Sequence, residues 1–546
     1  METRILSGQN KLLMVTDAPT RTDGPQPALQ LDEDFGVDTK LWFRFLSRRA
    51  SLSNDDRVTL SAVWILLCDS KRPGKISTTL EAIKEAKLKV RDILITADEN
   101  FSDTLQTILA NAEPSDLIWF MNAGDSLDQN AIGLVAEAEA AHADLCLFDT
   151  YFVENGRAFP QLHPGFNRAF GLNCDYFRSR FLARVEAIRR TINNAVPENA
   201  YLVARALIAA SHRDEHIRGI HLPHVFMRIE ENLDRLAQDA RSLVDNATES
   251  DFSARSTDYS TEFNQTVSVI ICTQDKGHLL KQLIRNILDT AENLIREILI
   301  VSHNTSNLYA LKTLSELKDC PRVRVIPYEG PFNFSRQCNL AAREASGKHL
   351  LFLNDDVTPV TRDWLLQLVL PLQNPEIGLT GPLLLYPDET VQHAGMFLGY
   401  RGVAGHTLRA ARLPSGDYLF MTQAPREVSC LTGAVLTIDR QLFEDLNGYD
   451  PLLGTYLQDV DLCLRAKRLG RRLIFNPRSV LLHMESTTIR DSLADPLMQN
   501  VRERERYHFV RRWGADVRRD PFYNPNMDLQ VENLRSLLAE PRDISQ

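Results

Sequence analysis

The chain has 546 residues, of which 44% are hydrophobic and 25% charged, with a formal net charge of −10. That length suits two or three domains, and the hydrophobic share is that of soluble globular protein. The acidic balance excludes a general nucleic-acid surface, because no overall basic field exists to collect phosphates.

In chain order, the first 55 residues mix proline, glycine and charge without a continuous apolar run, so they are expected to form a partly disordered extension with no secretory signal. The strings WILLCDSK at 64–71, RDILITADEN at 91–100 and DLIWFMNAGD at 116–125 then read as strands, and TTLEAIKEAK after the first of them reads as a helix. IHLPHVFMRIE at 220–230 closes this stretch. The segment 245–262 is rich in Ser, Thr and Asp with almost no aliphatic residue, which predicts an exposed linker.

Beyond the linker the same order returns. VIICTQDK at 269–276, REILIVSHNT at 296–305 and KHLLFLNDDV at 348–357 parallel the first three strands, LLKQLIRNIL parallels the helix, and IFNPRSVLLHMES at 474–486 parallels the closing string. The simplest account is a duplicated β-α-β framework. The segment 364–386 is the nearest approach to a membrane span, but Pro371, Asn374, Pro375 and Glu376 cut it into pieces far short of the ~20 residues a bilayer needs, so a helix, a turn and a strand are predicted. The tail after 520 is expected to carry an Asn-Pro turn and a short amphipathic helix near 528–539.

The two copies differ in chemistry. In the second, an apolar strand ends in Asn354-Asp355-Asp356, which sets hard oxygen ligands at a sheet edge where Mg²⁺ or Mn²⁺ could bridge protein and diphosphate. YLQDVDLCLR at 456–465 adds a carboxylate pair and VLLHMES at 480–486 a histidine. The first copy has Asn122-Ala123-Gly124-Asp125, Asn199 in place of an acid, and Arg228 or a neighbour in place of the histidine. A copy that keeps strands and loses acids reads as a scaffold or binding domain. The eight cysteines (68, 146, 174, 272, 320, 338, 430, 463) show no CxxC and read as reduced core residues of a cytoplasmic protein.

On these motifs, together with FNFSRQCNLAAREASGKHLLFLNDD at 332–356, PDETVQHAG at 387–395, LTGA at 431–434 and GYDPLLGTYLQDVDLCLR at 448–465, residues 266–490 resemble a family 2 glycosyltransferase of the GT-A fold. The two-copy layout is similar to bacterial enzymes that build O-antigen and other cell-surface polysaccharides. The resemblance implies an α/β protein of two tandem GT-A-like domains, each a Rossmann-like, mostly parallel mixed sheet, followed by a helical C-terminal segment. The divisions are 1–55 extension, 56–244 degenerate domain, 245–262 linker, 263–515 catalytic domain and 516–546 tail.

The resemblance further implies metal-dependent inverting transfer from a UDP- or dTDP-type nucleotide sugar to a hydroxyl of a glycan or lipid-linked glycan. Asp459 matches the general base. Asp356, helped by Asp355, matches the acid that holds Mn²⁺ or Mg²⁺ against the diphosphate, and His483 matches a further ligand. The usual aspartate of the nucleotide pocket is absent from Val301-Ser302-His303-Asn304, which leaves Thr273, Asp275, Ser302 and Asn304 as candidates. Asn339 matches a residue near the donor phosphates, with Arg336 in reach of the same region. Gly433 lets backbone approach the sugar or forms a plain turn. Gln392 lines the acceptor cleft or caps a hairpin, and Asp461 is structural or acceptor-binding.

Seven arginines between 501 and 519 surround Val501, Tyr507, Val510 and Trp513. A basic patch for the inner membrane is one reading, and a helix packed on the catalytic domain with salt-bridged arginines is the preferred one. The alternatives to a transferase weigh less. A nucleotidyltransferase needs a Gly-rich loop after the first strand, where Thr273-Gln274-Asp275-Lys276-Gly277-His278 has one glycine. A glycoside hydrolase needs a second positioned carboxylate. A polysaccharide-binding scaffold, or a bifunctional transferase with both copies active, depends on the first copy. Oligomeric state is not legible.

Overall fold

The computed structural model describes residues 29–538 apart from 32–34, 51–60, 69–73, 87, 129–130, 193–194, 214–216, 232–265, 414–416 and 485–494. The expected linker at 245–262 lies outside the described residues.

Two mixed sheets of nine and ten strands carry the fold. In the first, Val63–Cys68 lies parallel between Val90–Thr96 and Leu117–Asn122, and the latter pairs antiparallel with Phe181–Arg184. In the second, Val267–Thr273 lies parallel between Ile295–His303 and His349–Asn354, and the latter pairs antiparallel with Val435–Asp439. Each sheet then continues into a parallel pair, Leu145–Glu154 with Gly219–Arg228 and Ile377–Leu385 with Arg472–His483. Even the register repeats: Cys68 sits opposite Asn122 as Cys272 sits opposite Asn354. The duplication read from the strings is therefore a duplication of topology.

Central parallel strands are covered on both faces, so their residues are apolar almost without interruption. Alternate side chains go to opposite faces. Leu67, Trp119 and Met121 enter a core confined to the first unit, and Ile271, Leu351 and Leu353 enter one confined to the second. Their neighbours Leu66, Ile118, Phe120, Ile270, Leu350 and Phe352 instead join one cluster that runs through both units. Polar contacts seal the same joint. The Tyr418 hydroxyl donates to Pro160 O and accepts from Leu162 N, each at 2.9 Å, and Asn167 exchanges two hydrogen bonds with the Glu427 backbone at 2.8 and 3.0 Å.

Both termini depart from expectation. Residues 35–50, assigned to a partly disordered extension, form the strand Val37–Asp38, which pairs with Arg157–Gln161, and the helix Thr39–Ala50, whose Trp42 is fully buried. Over the described residues 528–538 the tail forms no helix. Ser536–Leu537 is a strand antiparallel to Leu29–Gln30, with Leu537 fully buried, so tertiary pairing overrides the local amphipathic pattern.

The arginine-rich stretch is the helix Pro496–Trp513, packed through Phe509 and Trp513, while Val501, Tyr507 and Val510 are exposed. On the side that meets the second unit, Arg512 lies 3.1 Å from Asp461 and 3.5 Å from Asp450, and His508 lies 3.0 Å from Asp450. Beyond it, Asn524 reaches into the first unit, donating to Asp149 Oδ2 at 2.8 Å and to His163 O at 2.9 Å. Asn524→Ala leaves two buried acceptors unsatisfied. It should lower stability by roughly 1–3 kcal/mol, read as a shift in the urea midpoint without a change in slope.

Candidate active site

The site is built at the carboxyl ends of Val267–Thr273 and His349–Asn354, where open α/β sheets collect ligands. Four side chains converge there. Asp355, buried, accepts from Thr273 Oγ1 at 2.8 Å and from Lys276 Nζ at 3.1 Å, and Lys276 lies 3.8 Å from Asp356 Oδ2. Burial raises the Asp355 pKa, against the pull of Lys276 and Thr273. Lys276 lies in the TQDKG string after the strand. Nothing in its spacing marks it, since only the turn after the strand brings it back over the acids.

His483 reaches Asp356 by register. Val357 pairs with His483 across antiparallel strands, which sets His483 Nε2 3.1 Å from Asp356 Oδ1. Its other nitrogen, Nδ1, lies 2.6 Å from Gln392 Oε1, and Asn354 Nδ2 lies 3.4 Å from Nε2. With Gln392 accepting from Nδ1–H, Nε2 holds a lone pair. An imidazole lone pair beside a carboxylate oxygen is the donor set a divalent cation takes. Gln392 thus orients the histidine. It is 7% exposed.

Asp459 joins this edge through the LTGA turn. Its Oδ2 accepts from Gly433 N at 2.8 Å, and the next residue's carbonyl, Ala434 O, accepts from Asn354 N at 2.9 Å. Two consecutive residues therefore link the candidate base to the candidate metal strand. A Cβ on Gly433 would stand 3.4 Å from Asp459 Cβ. Asp459 opens the helix Gln458–Arg468 after Leu457, which is left-handed at φ 64. Burial raises its pKa above the ordinary 3.8, offset in part by the Gly433 and Val460 amides.

The loop before Asp459 is held by Glu505, which sequence reasoning missed because it comes from a separate helix. Its carboxylate accepts from Gly454 N at 2.8 Å, Thr455 N at 3.0 Å and Thr455 Oγ1 at 2.8 Å. Asp461, fully buried, is engaged by Arg465 Nε at 2.7 Å, Trp513 Nε1 at 2.8 Å and Arg512, contacts that fit the structural one of its two expected roles.

Other candidates are also engaged by protein partners. Asn339 bonds Tyr449 N and O at 2.9 and 2.8 Å and fixes the Gly448 turn. Asp275 accepts from Ser306 N and Asn307 N, at 2.8 and 2.7 Å, and closes the turn after Ile295–His303. Asn304 bonds Gly330 O at 2.9 Å, and Ser302 Oγ lies 2.7 Å from Thr305 Oγ1. Of the four nucleotide candidates, only Thr273 touches the acidic cluster.

The first unit's equivalent edge is closed. Asp125 is fully buried and gripped by Arg180, with Nε 2.8 Å from Oδ2 and Nη2 3.0 Å from Oδ1, and Glu231 lies 3.6 Å from the same guanidinium. By register Arg180 occupies the place of Val435, because Phe181 faces Phe120 as Leu436 faces Phe352. Asn199 is an exposed helix cap whose Oδ1 accepts from Leu202 N at 3.0 Å.

Residues 268–424 match the family described as Glycosyl transferase family 2. The second unit carries a family 2 glycosyltransferase domain. The chain is also 28% identical over 513 residues to the O-antigen biosynthesis protein RfbC of Myxococcus xanthus, covering 88% of this chain and 39% of that protein. It is 31% identical over 278 residues to the uncharacterized protein y4gI of Sinorhizobium fredii, covering 50% and 30%. The chain thus spans less than half the length of either relative. Among solved structures it is similar to GalNAc-T7 with UDP, GalNAc and Mn²⁺, at TM-score 0.34 and 18% identity over 40% of this chain and 43% of that one. A mannosyltransferase of Pyrobaculum calidifontis with GDP-Man and Mn²⁺ gives TM-score 0.31 and 16% identity over 47% and 73%. Both units are mixed α/β sheets of repeated strand order, and the family match lies in the second.

Arg180→Met strips the buried Asp125 of its counter-charge. Breaking such a pair costs about 3–5 kcal/mol, so the variant should unfold at clearly lower denaturant, with the loss mapped to the first unit by hydrogen exchange.

Proposed function

We propose that the chain is an inverting glycosyltransferase that moves a sugar from a UDP- or dTDP-type donor to a hydroxyl of a growing cell-surface glycan. The observation that carries this reading is the Asp459–Gly433–Ala434–Asn354 link, which ties a carboxylate of raised pKa to the strand end that bears Asp356. The family match and the similarity to an O-antigen biosynthesis protein support the reaction class and the acceptor class.

Transfer is an in-line displacement at the anomeric carbon. As the acceptor oxygen attacks, Asp459 takes its proton, and the nucleoside diphosphate departs on the opposite side. Asp356 and His483 would hold a divalent ion, Mn²⁺ or Mg²⁺, which supplies charge neutralisation for the leaving diphosphate. Lys276 adds a protein cation at the same edge, and Thr273 and Asp355 orient it. Gly433 contributes its amide, which keeps the Asp459 carboxylate aimed while burial keeps it basic.

The domain division, with 56–244 non-catalytic and 263–515 catalytic, belongs to this reading, amended so that residues 35–50 and the C-terminal segment pack with both units. The Arg180–Asp125 pair favours a binding or scaffolding role for the first unit over a second active site. A reducing, cytoplasmic location accords with eight free cysteines. Among the described residues no helix is long and apolar enough to cross a membrane. Peripheral contact with the inner membrane would fall to the exposed Leu497, Tyr507 and Val510 of the arginine-rich helix.

Asp459→Asn should cut transfer by roughly 10²–10⁴ while donor affinity stays within a factor of two or so of wild type. Because a base works deprotonated, wild-type rate should rise with pH through the Asp459 pKa, with that limb above 3.8 and absent from the variant. Near-normal turnover by the variant would refute the assignment.

A further inference from the structure

A second cluster of ligand-bearing side chains lies far along the chain from the glycosyltransferase centre. Asp149 comes from the strand Leu145–Glu154, His163 from the loop after Arg157–Gln161, and His221 from Gly219–Arg228, which runs parallel to the first strand with His221 opposite Leu147. One ligand atom from each lies within 4.8 Å of the other two, the one such group of three among the described residues.

Three observations separate this cluster from an ordinary buried ion pair. His163 is 1% exposed, yet its Nδ1 has no hydrogen-bond partner, a state that costs about 1–3 kcal/mol for a buried polar atom. The carboxylate is held by groups other than the ligand atoms, with Asp149 Oδ1 accepting from the His163 main-chain N at 2.8 Å and Oδ2 from Asn524 Nδ2 at 2.8 Å. Metal ligands are oriented in this way by their surroundings. Finally, His221 borders a 290 Å³ cavity with Phe166, Pro223, Arg519, Asp520 and Tyr523, which gives an ion a way in and room for water on its remaining positions.

We propose that Asp149, His163 and His221 bind one borderline divalent transition ion, with Zn²⁺ the best fit. Two imidazoles and one carboxylate suit Zn²⁺ and its neighbours, whereas Mg²⁺ and Ca²⁺ take oxygen ligands. In the metal-free form His221 Nε2 and Asp149 Oδ1 share a proton at 2.8 Å. The ion takes the place of that proton, and neutral His221 ligates through Nε2 with its single proton on Nδ1. Through Asn524 the bound ion fastens the C-terminal segment to the first sheet.

The test uses the full chain carrying Asp356→Ala, which removes the glycosyltransferase-domain ligand and makes the result independent of the proposed transferase chemistry. After chelator treatment, equilibrium dialysis against Zn²⁺ in millimolar Mg²⁺ should load one equivalent. X-ray absorption should then show a nitrogen/oxygen shell at about 2.0–2.1 Å with imidazole scattering. His163→Gln and His221→Gln keep hydrogen-bonding side chains at both positions and should each weaken binding by roughly 10–100-fold or more. Failure of the chain to take up Zn²⁺, a shell without imidazole, or full loading of the His163→Gln/His221→Gln double variant would each overturn the proposal.

Discussion

The glycosyltransferase centre depends on the two residues Gly433 and Ala434. One gives its amide to Asp459 and the other gives its carbonyl to Asn354, so the candidate base and the candidate metal strand cannot drift apart without breaking main-chain hydrogen bonds. Much else in the domain serves to hold these two partners. Glu505 fixes the loop that leads into Asp459, Trp513 and Arg465 occupy Asp461 one turn-face away, and Gln392 turns His483 toward Asp356. Preorganisation of this kind is what keeps a general base and a leaving-group cation on opposite sides of one reacting carbon.

The same turn explains how a duplicated fold came to hold one centre. In the first unit the residue in register with Val435 is Arg180, and its guanidinium pairs with Asp125, the carboxylate at that strand end. The pair satisfies a buried carboxylate internally. Strand order and register survive the change because the sheet is stabilised by its apolar faces, which the two units partly share. That shared core also makes the two halves poor candidates for separate expression.

Sheet topology was legible because parallel strands buried on both faces must be apolar runs, and the repeated strings 64–71, 91–100 and 116–125 against 269–276, 296–305 and 348–357 kept that pattern. Asp356 and His483 were legible through their motifs, and their meeting is a consequence of the Val357–His483 pairing. Asn339, Asp275, Gln392 and Asp461 were marked as polar residues in motif positions, but each is spent on protein partners that only tertiary structure supplies. Lys276, Glu505 and Arg180 gave no periodic or motif signal. For Arg180 the substitution of Phe177-Arg178-Ser179-Arg180 for the Thr-Gly-Ala turn could have served, had the two copies been aligned through the fourth strand. The tail misled because an amphipathic pattern there is read out by pairing with Leu29–Gln30.

The central claim is one nucleotide-sugar centre per chain, in the second unit. Titration calorimetry of the full chain with UDP-, dTDP- and GDP-sugars in Mn²⁺ tests it most directly, using whichever donor binds best and repeating the titration with Asp356→Ala. The account predicts one donor bound per chain and loss of metal-dependent binding in the variant. Two donors per chain, or a single site that survives Asp356→Ala unchanged, would contradict it.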